Sequence, residues 1–274
     1  MNDNPAIAIL YVCIGRYSIL WNDFYLSAEE FLFPGYKKTY FVFSDDEILL
    51  NSEIENVHFI KQDNLGWPGN VLYRYHFFKK IEKKLENMDF IFFFNGNYIF
   101  VKPIEIEELL PNENGDYWTT LVWHINEQKT DINNFTYERN PESKAFVPFG
   151  EGKRYFQSGF YASNSENFWD LVHTCSRWTD EDLVKGIVTI WHDESYFNKY
   201  MLNKNPKILS TEYGKPEQWK YPLDAKAILR NKKTIFGKRY LKRLKNGNNK
   251  KPWSFFRFLF RFSVILLFFP KFLQ

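Results

Sequence analysis

Four places in this 274-residue chain carry side chains with chemical capacity. Trp191-His192-Asp193-Glu194 sets two carboxylic acids beside an indole and an imidazole, just ahead of a helix-like run. Acids at such a position can simply cap helix amides and favour the helix dipole. Glu194 in a pocket with an aromatic wall could instead serve as a nucleophile or stabilise a cationic sugar transition state. Asn95-Gly96-Asn97 also has two readings. Asn-Gly flanked by apolar runs is a strong hairpin-turn signal. The run before it does not alternate, however, which suits a buried strand ending in a polar, ligand-binding bend. Two carboxylates there would hold a divalent metal, whereas amides bring dipoles without charge and hold Mg²⁺ or Mn²⁺ poorly. Arg74, set among apolar positions, is either a surface charge or an inward guanidinium suited to a diphosphate. His124 follows Trp123, and a lone histidine ordinarily has a structural, hydrogen-bonded role.

The elements that must position these groups follow from periodicity. Residues 6–13 form a continuous apolar run, which predicts a buried strand. Residues 17–32 place apolar groups at helical spacing, and residues 39–43 and 57–60 predict two further strands. Residues 70–86 predict one helix with Leu72, Tyr73, His76, Phe77 and Ile81 on its apolar face. Residues 90–94 are apolar throughout. Strands apolar on both faces that alternate with helices imply an α/β fold with a mostly parallel sheet. In such sheets ligands sit beyond the carboxyl ends of the strands, which points to residues 14–17, 44–46 and 95–97. Neither GxGxxG nor GxxxxGK[ST] occurs, so NAD and ATP sites of those types have no support.

Composition excludes several classes. Hydrophobic residues make up 45% and charged residues 25%, the balance of a globular chain. Two cysteines, Cys13 and Cys175, cannot build a disulfide framework or a zinc cluster. A net charge of +3 conceals a strong asymmetry. Residues 1–224 hold 22 of the 36 basic side chains and all 33 acidic ones, while residues 225–274 hold 14 basic side chains and no acidic one.

Three motifs carry a family resemblance: FTYERNP at 135–141, WHDES at 191–195 followed by NKY at 198–200, and the NGN triplet at 95–97. With their order and spacing over roughly residues 6–213, the chain resembles glycosyltransferase family six, which includes the histo-blood-group A and B transferases and the α-1,3-galactosyltransferases. The resemblance implies a GT-A fold, a Rossmann-like nucleotide-sugar-binding domain over residues 1–246. It implies retaining transfer of Gal or GalNAc from UDP to the 3-OH of a β-galactoside. Carried over, Val12, Ile14 and Tyr17 would contact the uracil and ribose, Arg74 the donor sugar and diphosphate, and Asp193 the donor sugar hydroxyls. Glu194 would be the catalytic carboxylate. His124 and Thr136 would contact the acceptor galactose, with Trp191 stacked on its apolar face. Asn95 and Asn97 stand where the family has its metal-binding aspartates. That departure, found in the family's bacterial branch, implies metal-independent transfer with no cofactor. Arg74 with Lys232 or Lys233 would then offset the charge on the leaving UDP.

Gln157-Ser158-Gly159 falls where the family discriminates donors. Glycine at 159 leaves room for an N-acetyl group, so the expectation is a UDP-GalNAc donor and a fucosylated β-galactoside acceptor on an oligosaccharide or glycolipid. UDP-Gal is the alternative donor. A carbohydrate-binding or membrane-associated protein without catalysis is the alternative from another class. After Tyr213, GKPEQW departs from the animal sequences.

The segment 247–274 is basic and aromatic. Its longest uncharged apolar run, residues 262–269, is too short to span a bilayer. Lys250, Lys251, Arg257 and Arg261 precede that run, and Trp253 lies among them. The expectation is binding to an anionic membrane surface, with core packing as the alternative and nucleic acid disfavoured. The N-terminal residues carry neither a basic n-region nor a cleavage site, so the expected location is cytoplasmic or peripheral at the inner face of the cytoplasmic membrane.

Overall fold

A computed structural model describes residues 4–122 and 131–247. His124 and the tail beyond Gly247 lie outside the described residues. The apolar run near the N-terminus forms β1 (Ile7–Val12). The chain continues through α1 (Trp21–Phe31), β2 (Lys38–Ser44), α2 (Glu47–Leu50), β3 (Val57–Lys61), α3 (Gly66–Leu72), α4 (Arg74–Lys79) and β4 (Phe90–Phe94). Then come β5 (Tyr98–Phe100), α5 (Ile106–Leu109), β6 (Trp118–Val122), β7 (Phe156–Asn164), α6 (Ser165–Val184), α7 (Asp193–Tyr200) and β8 (Lys207–Leu209). β9 (Lys215–Pro216), β10 (Ala227–Leu229), α8 (Lys232–Phe236) and α9 (Lys238–Gly247) follow.

Seven strands make one sheet in the order β3-β2-β1-β4-β7-β6-β8. β3, β2, β1 and β4 run parallel, as do β6 and β8, while β7 is antiparallel to both β4 and β6. This is the mixed α/β architecture with a mostly parallel central sheet that the sequence implies. Strand β4 shows why its run is unbroken. Ile91 and Phe93 enter one core with Leu10, Phe41, Phe77 and Phe168, while Phe92 and Phe94 enter a second core with Ile9, Phe24 and Phe100. Each such side chain contributes about 1.5–3 kcal/mol by leaving water.

Two local expectations are corrected. Asn95-Gly96-Asn97 is not the turn of a hairpin. Both edges of β4 are already paired, with β1 and β7, so β5 leaves the sheet and pairs with β10 in a three-stranded sheet of order β5-β10-β9. Residues 70–86 are not one helix: α3 ends at Leu72, α4 runs from Arg74 to Lys79, and Glu82–Leu85 form a 3-10 turn. Leu72, Phe77 and Ile81 are buried as expected, but Tyr73 and His76 are half-buried. Arg74, Tyr75, Phe78 and Leu85 complete the buried set, because Arg74 finds an inward carboxylate partner.

Cys13 and Cys175 are buried and free. Among the described residues no helix is long and apolar enough to cross a membrane.

Candidate active site

The carboxyl ends of β1 and β4 meet the amino end of β7 at one rim of the large sheet. The register sets Phe94 opposite Phe160, and one step further the Asn95 amide donates to the Gly159 carbonyl at 2.8 Å. Val12 ends β1, Ile14 and Tyr17 follow it, Asn95–Asn97 follow β4, and Gln157–Gly159 lie at the start of β7, so this rim gathers these residues expected to bind the donor. The Gly15 amide donates to Asp45 Oδ1 at 2.6 Å, which ties the loop after β1 to the end of β2. The bend at 95–97 packs tightly on β1. A Cβ on Gly96 would come within 3.0 Å of the Val12 carbonyl oxygen and 3.5 Å of the Tyr17 ring, and the Tyr11 hydroxyl donates to the Gly96 carbonyl at 2.8 Å. Any side chain at 96 would press on the β1 backbone.

Helix α7 brings in the acids. His192 precedes it with φ +56°, a left-handed conformation that is costly for a side-chain-bearing residue, and its ring packs edge-on against Trp67. Asp193 is fully buried, with its carboxylate 2.5 Å from Arg74 Nη1. Arg74 also donates to the Ser158 carbonyl at 2.8 Å and lies 4.5 Å from the Phe93 ring centroid. Burial raises the Asp193 carboxyl above its ordinary value and Arg74 opposes that rise. Burial also works against the Arg74 charge, but Asp193 holds its pKa above the ordinary value.

Glu194 is held at both oxygens. The Tyr155 hydroxyl donates to Oε1 at 3.0 Å, and the Ser158 amide donates to Oε2 at 2.9 Å. Burial, then the Glu194 charge, push the Tyr155 hydroxyl far above its ordinary pKa, so it remains a donor. Asn198, one turn along α7, exchanges two hydrogen bonds of 2.8 Å with the Phe156 backbone and locks α7 onto β7. Thr136 lies beside the Tyr155 hydroxyl. Trp191 is 47% exposed at the lip of the site. Glu138 of the FTYERNP stretch accepts from the Ile190 amide at 2.8 Å and so fixes the approach to Trp191. Tyr155, Asn198 and Glu138 are functional-site residues that sequence reasoning missed. The motif strings contain Glu138 and Asn198 without saying what they touch.

The C-terminal segment crosses the same rim. Lys232 is half-buried, with Nζ 5.5 Å from the Tyr17 ring centroid. Burial and then the positive charge of Arg74 push its pKa down to about 8. Lys233, the next residue, is exposed. Tyr17 packs against Phe236 with ring centroids 4.8 Å apart. Arg74 thus has its charge met by Asp193, whereas Lys232 feels a ring and a second cation. An anion at this rim would offset the Lys232 charge.

The donor set at the bend is a poor fit for a divalent cation. It consists of amides, and Asn97 Nδ2 is engaged with the Arg230 carbonyl at 2.9 Å. Among the described residues no group of three or more His, Cys, Asp or Glu side chains is placed to hold a metal ion.

Comparison with known proteins decides the lineage. A sequence model of glycosyltransferase family 6 matches residues 2–239. The chain belongs to glycosyltransferase family 6. It is therefore a hexosyltransferase, and its sheet is the GT-A-like scaffold of that activity. The family implies a UDP-sugar donor and a glycan acceptor. The chain is 31% identical over 227 residues to the O-antigen biosynthesis glycosyltransferase WbnI of Escherichia coli, covering 83% of this chain and 95% of that one. It is 28% identical over 218 residues to histo-blood group ABO system transferase 1 of Rattus norvegicus, covering 77% of this chain and 61% of that one. It is 25% identical over 221 residues to globoside alpha-1,3-N-acetylgalactosaminyltransferase 1 of Homo sapiens, with the same shares. The family-6 chain described here thus spans about three fifths of those two mammalian proteins.

Proposed function

We propose that this family-6 enzyme moves GalNAc from UDP-GalNAc to the 3-OH of a fucosylated β-galactoside, with retention and without a metal. The observation that carries the reading is the placement of Glu194. It is gripped by Tyr155 and Ser158 beside the buried Asp193–Arg74 pair, at a rim also reached by Lys232.

In this reading Val12, Ile14 and Tyr17 seat the nucleoside. Lys232, with Lys233 and the Asn95 amide, faces the diphosphate. Asp193, oriented by Arg74, takes hydroxyls of the donor sugar. Trp191, Thr136 and His124 receive the acceptor galactose. Asn97 shapes the diphosphate site from below. In the reaction the bond from the anomeric carbon to the UDP oxygen breaks. The acceptor O3 bonds to the same face of that carbon, and the O3 proton passes to the departing phosphate oxygen. Glu194 Oε1 or Oε2 either forms a transient covalent adduct or steadies the sugar cation while O3 attacks. Both routes place the carboxylate against the anomeric carbon. The negative charge that develops on UDP is offset by Lys232, which the low-dielectric rim makes effective.

The donor choice rests on Gly159, which presents no side chain toward Asn95. A specific contact favours the second reading, UDP-Gal. Gln157 Oε1 sits 3.1 Å from the place a Cβ of residue 159 would occupy, and so claims part of the room an N-acetyl group needs. Initial rates with UDP-GalNAc and UDP-Gal on 2′-fucosyllactose separate the two. A higher kcat/KM for UDP-GalNAc supports the first, and the reverse order replaces it.

The basic C-terminal segment is proposed to hold the enzyme at an anionic membrane surface. Support comes from its charge: residues 247–274 hold Lys250, Lys251, Arg257, Arg261 and Lys271 and no acidic side chain.

A further inference from the structure

Asn97 is fastened to the C-terminal segment by its own side chain. β5 and β10 pair antiparallel with Tyr98 opposite Leu229, so Asn97 faces Arg230 one step beyond the ladder. The Arg230 amide donates to the Asn97 backbone carbonyl at 2.8 Å. The return bond comes from the side chain: Asn97 Nδ2 donates to the Arg230 carbonyl at 2.9 Å. Asn97 is 6% exposed, and its Oδ1 is buried without a hydrogen-bond partner among the described residues. The orientation is chemically determined, because only the NH₂ end of an amide can face a carbonyl oxygen.

We propose that Asn97 is a positioning residue whose amide latches the segment around Arg230 onto the bend after β4 and thereby sets Lys232 at the donor diphosphate. The proposal rests on the donor-site reading above for its second half. A carboxylate at position 97 has no hydrogen to give and would set anionic oxygens against the Arg230 carbonyl. A metal-binding aspartate and this latch therefore exclude each other. The amide at 97 does more than forgo a metal: it docks the element that brings a cation of its own.

The rest of the segment transmits the position. Arg230 Nη1 lies 2.6 Å from Asp23 Oδ2 on α1. The Asn231 amide donates to Glu217 Oε2 at 2.6 Å, and the Asn231 side chain accepts from the Lys233 amide at 3.0 Å. Phe236 is buried against Tyr17. Lys232 lies between these anchors, two residues past the latch.

The test uses full-length Asn97→Asp and Asn97→Ala, the second without an introduced charge. Trypsin cleavage after Arg230, Lys232 and Lys233 is timed on unliganded protein by mass spectrometry, and UDP affinity is measured by calorimetry. Both variants should speed cleavage at these three bonds by on the order of tenfold to a hundredfold, with cleavage elsewhere unchanged. Both should weaken UDP binding, and in a Lys232→Met background Asn97→Ala should weaken it no further. Weaker UDP binding with cleavage at the wild-type rate would overturn the latch, as would equal acceleration at every Lys and Arg bond. If the wild-type protein fails to bind UDP while the variants still open this segment, the donor-site reading falls and the latch stands.

Discussion

The Tyr155 hydroxyl donates to Glu194 Oε1 at 3.0 Å, from the residue just before β7 to the first turn of α7. Its partner, the Ser158 amide, holds the other oxygen. Glu194 is therefore aimed by two donors that the central sheet fixes in place. A hydrogen bond to a charged group contributes about 1.5–3 kcal/mol. Tyr155→Phe should lower kcat by about tenfold or more while leaving UDP affinity within about twofold, as read by steady-state kinetics and calorimetry. An unchanged kcat would show that Ser158 alone orients the carboxylate.

Arg74 and Asp193 are both buried and 2.5 Å apart, so each is the main compensation for the other. Removing one partner of such a pair costs about 3–5 kcal/mol. Arg74→Met should destabilise the fold by that order in urea titration. Arg74→Met combined with Asp193→Asn should recover part of the loss. A double variant less stable than the single one would contradict the pairing.

Lys232 tests both charge and stability. Its pKa is pushed down to about 8, first by burial and then by Arg74. Folding thus works against its charge. The destabilising effect is complete below pH 8 and fades as pH rises to the ordinary lysine value of 10.5. Lys232→Met should therefore hold or raise Tm at pH 7 while weakening UDP binding. In the wild type, kcat/KM for the donor should fall as pH rises through about 8. A flat profile between pH 7 and 9.5 would remove Lys232 from the donor site.

The two cores were legible because β1 and β4 are apolar at every position, a pattern that only a doubly covered strand explains. WHDES was legible as a motif, and the structure sets Glu194 and Asp193 at the start of α7 with the rim residues around them. What stayed hidden are pairings across long stretches of chain. Tyr155 meets Glu194 from 39 residues away and Asn97 meets Arg230 from 133 away. Local periodicity carries no record of such contacts. The hairpin reading of Asn95-Gly96-Asn97 failed for a related reason. A turn signal describes four residues, but the pairing of β4 is settled by β1 and β7.

Removing residues 247–274 should leave transfer to a soluble acceptor within about twofold and abolish flotation with vesicles rich in anionic lipid. A truncated protein that still floats would assign membrane binding to another surface.

Transfer itself is the most direct test. Purified enzyme is stripped with EDTA, given UDP-GalNAc and 2′-fucosyllactose, and compared with Glu194→Gln under the same conditions. The account predicts a tetrasaccharide of retained configuration, formed at the same rate with chelator as with added Mn²⁺. It also predicts that Glu194→Gln binds UDP normally and turns over about 10²-fold more slowly or worse. Activity lost to EDTA and restored by Mn²⁺, or a Glu194→Gln enzyme with near-normal turnover, would contradict it.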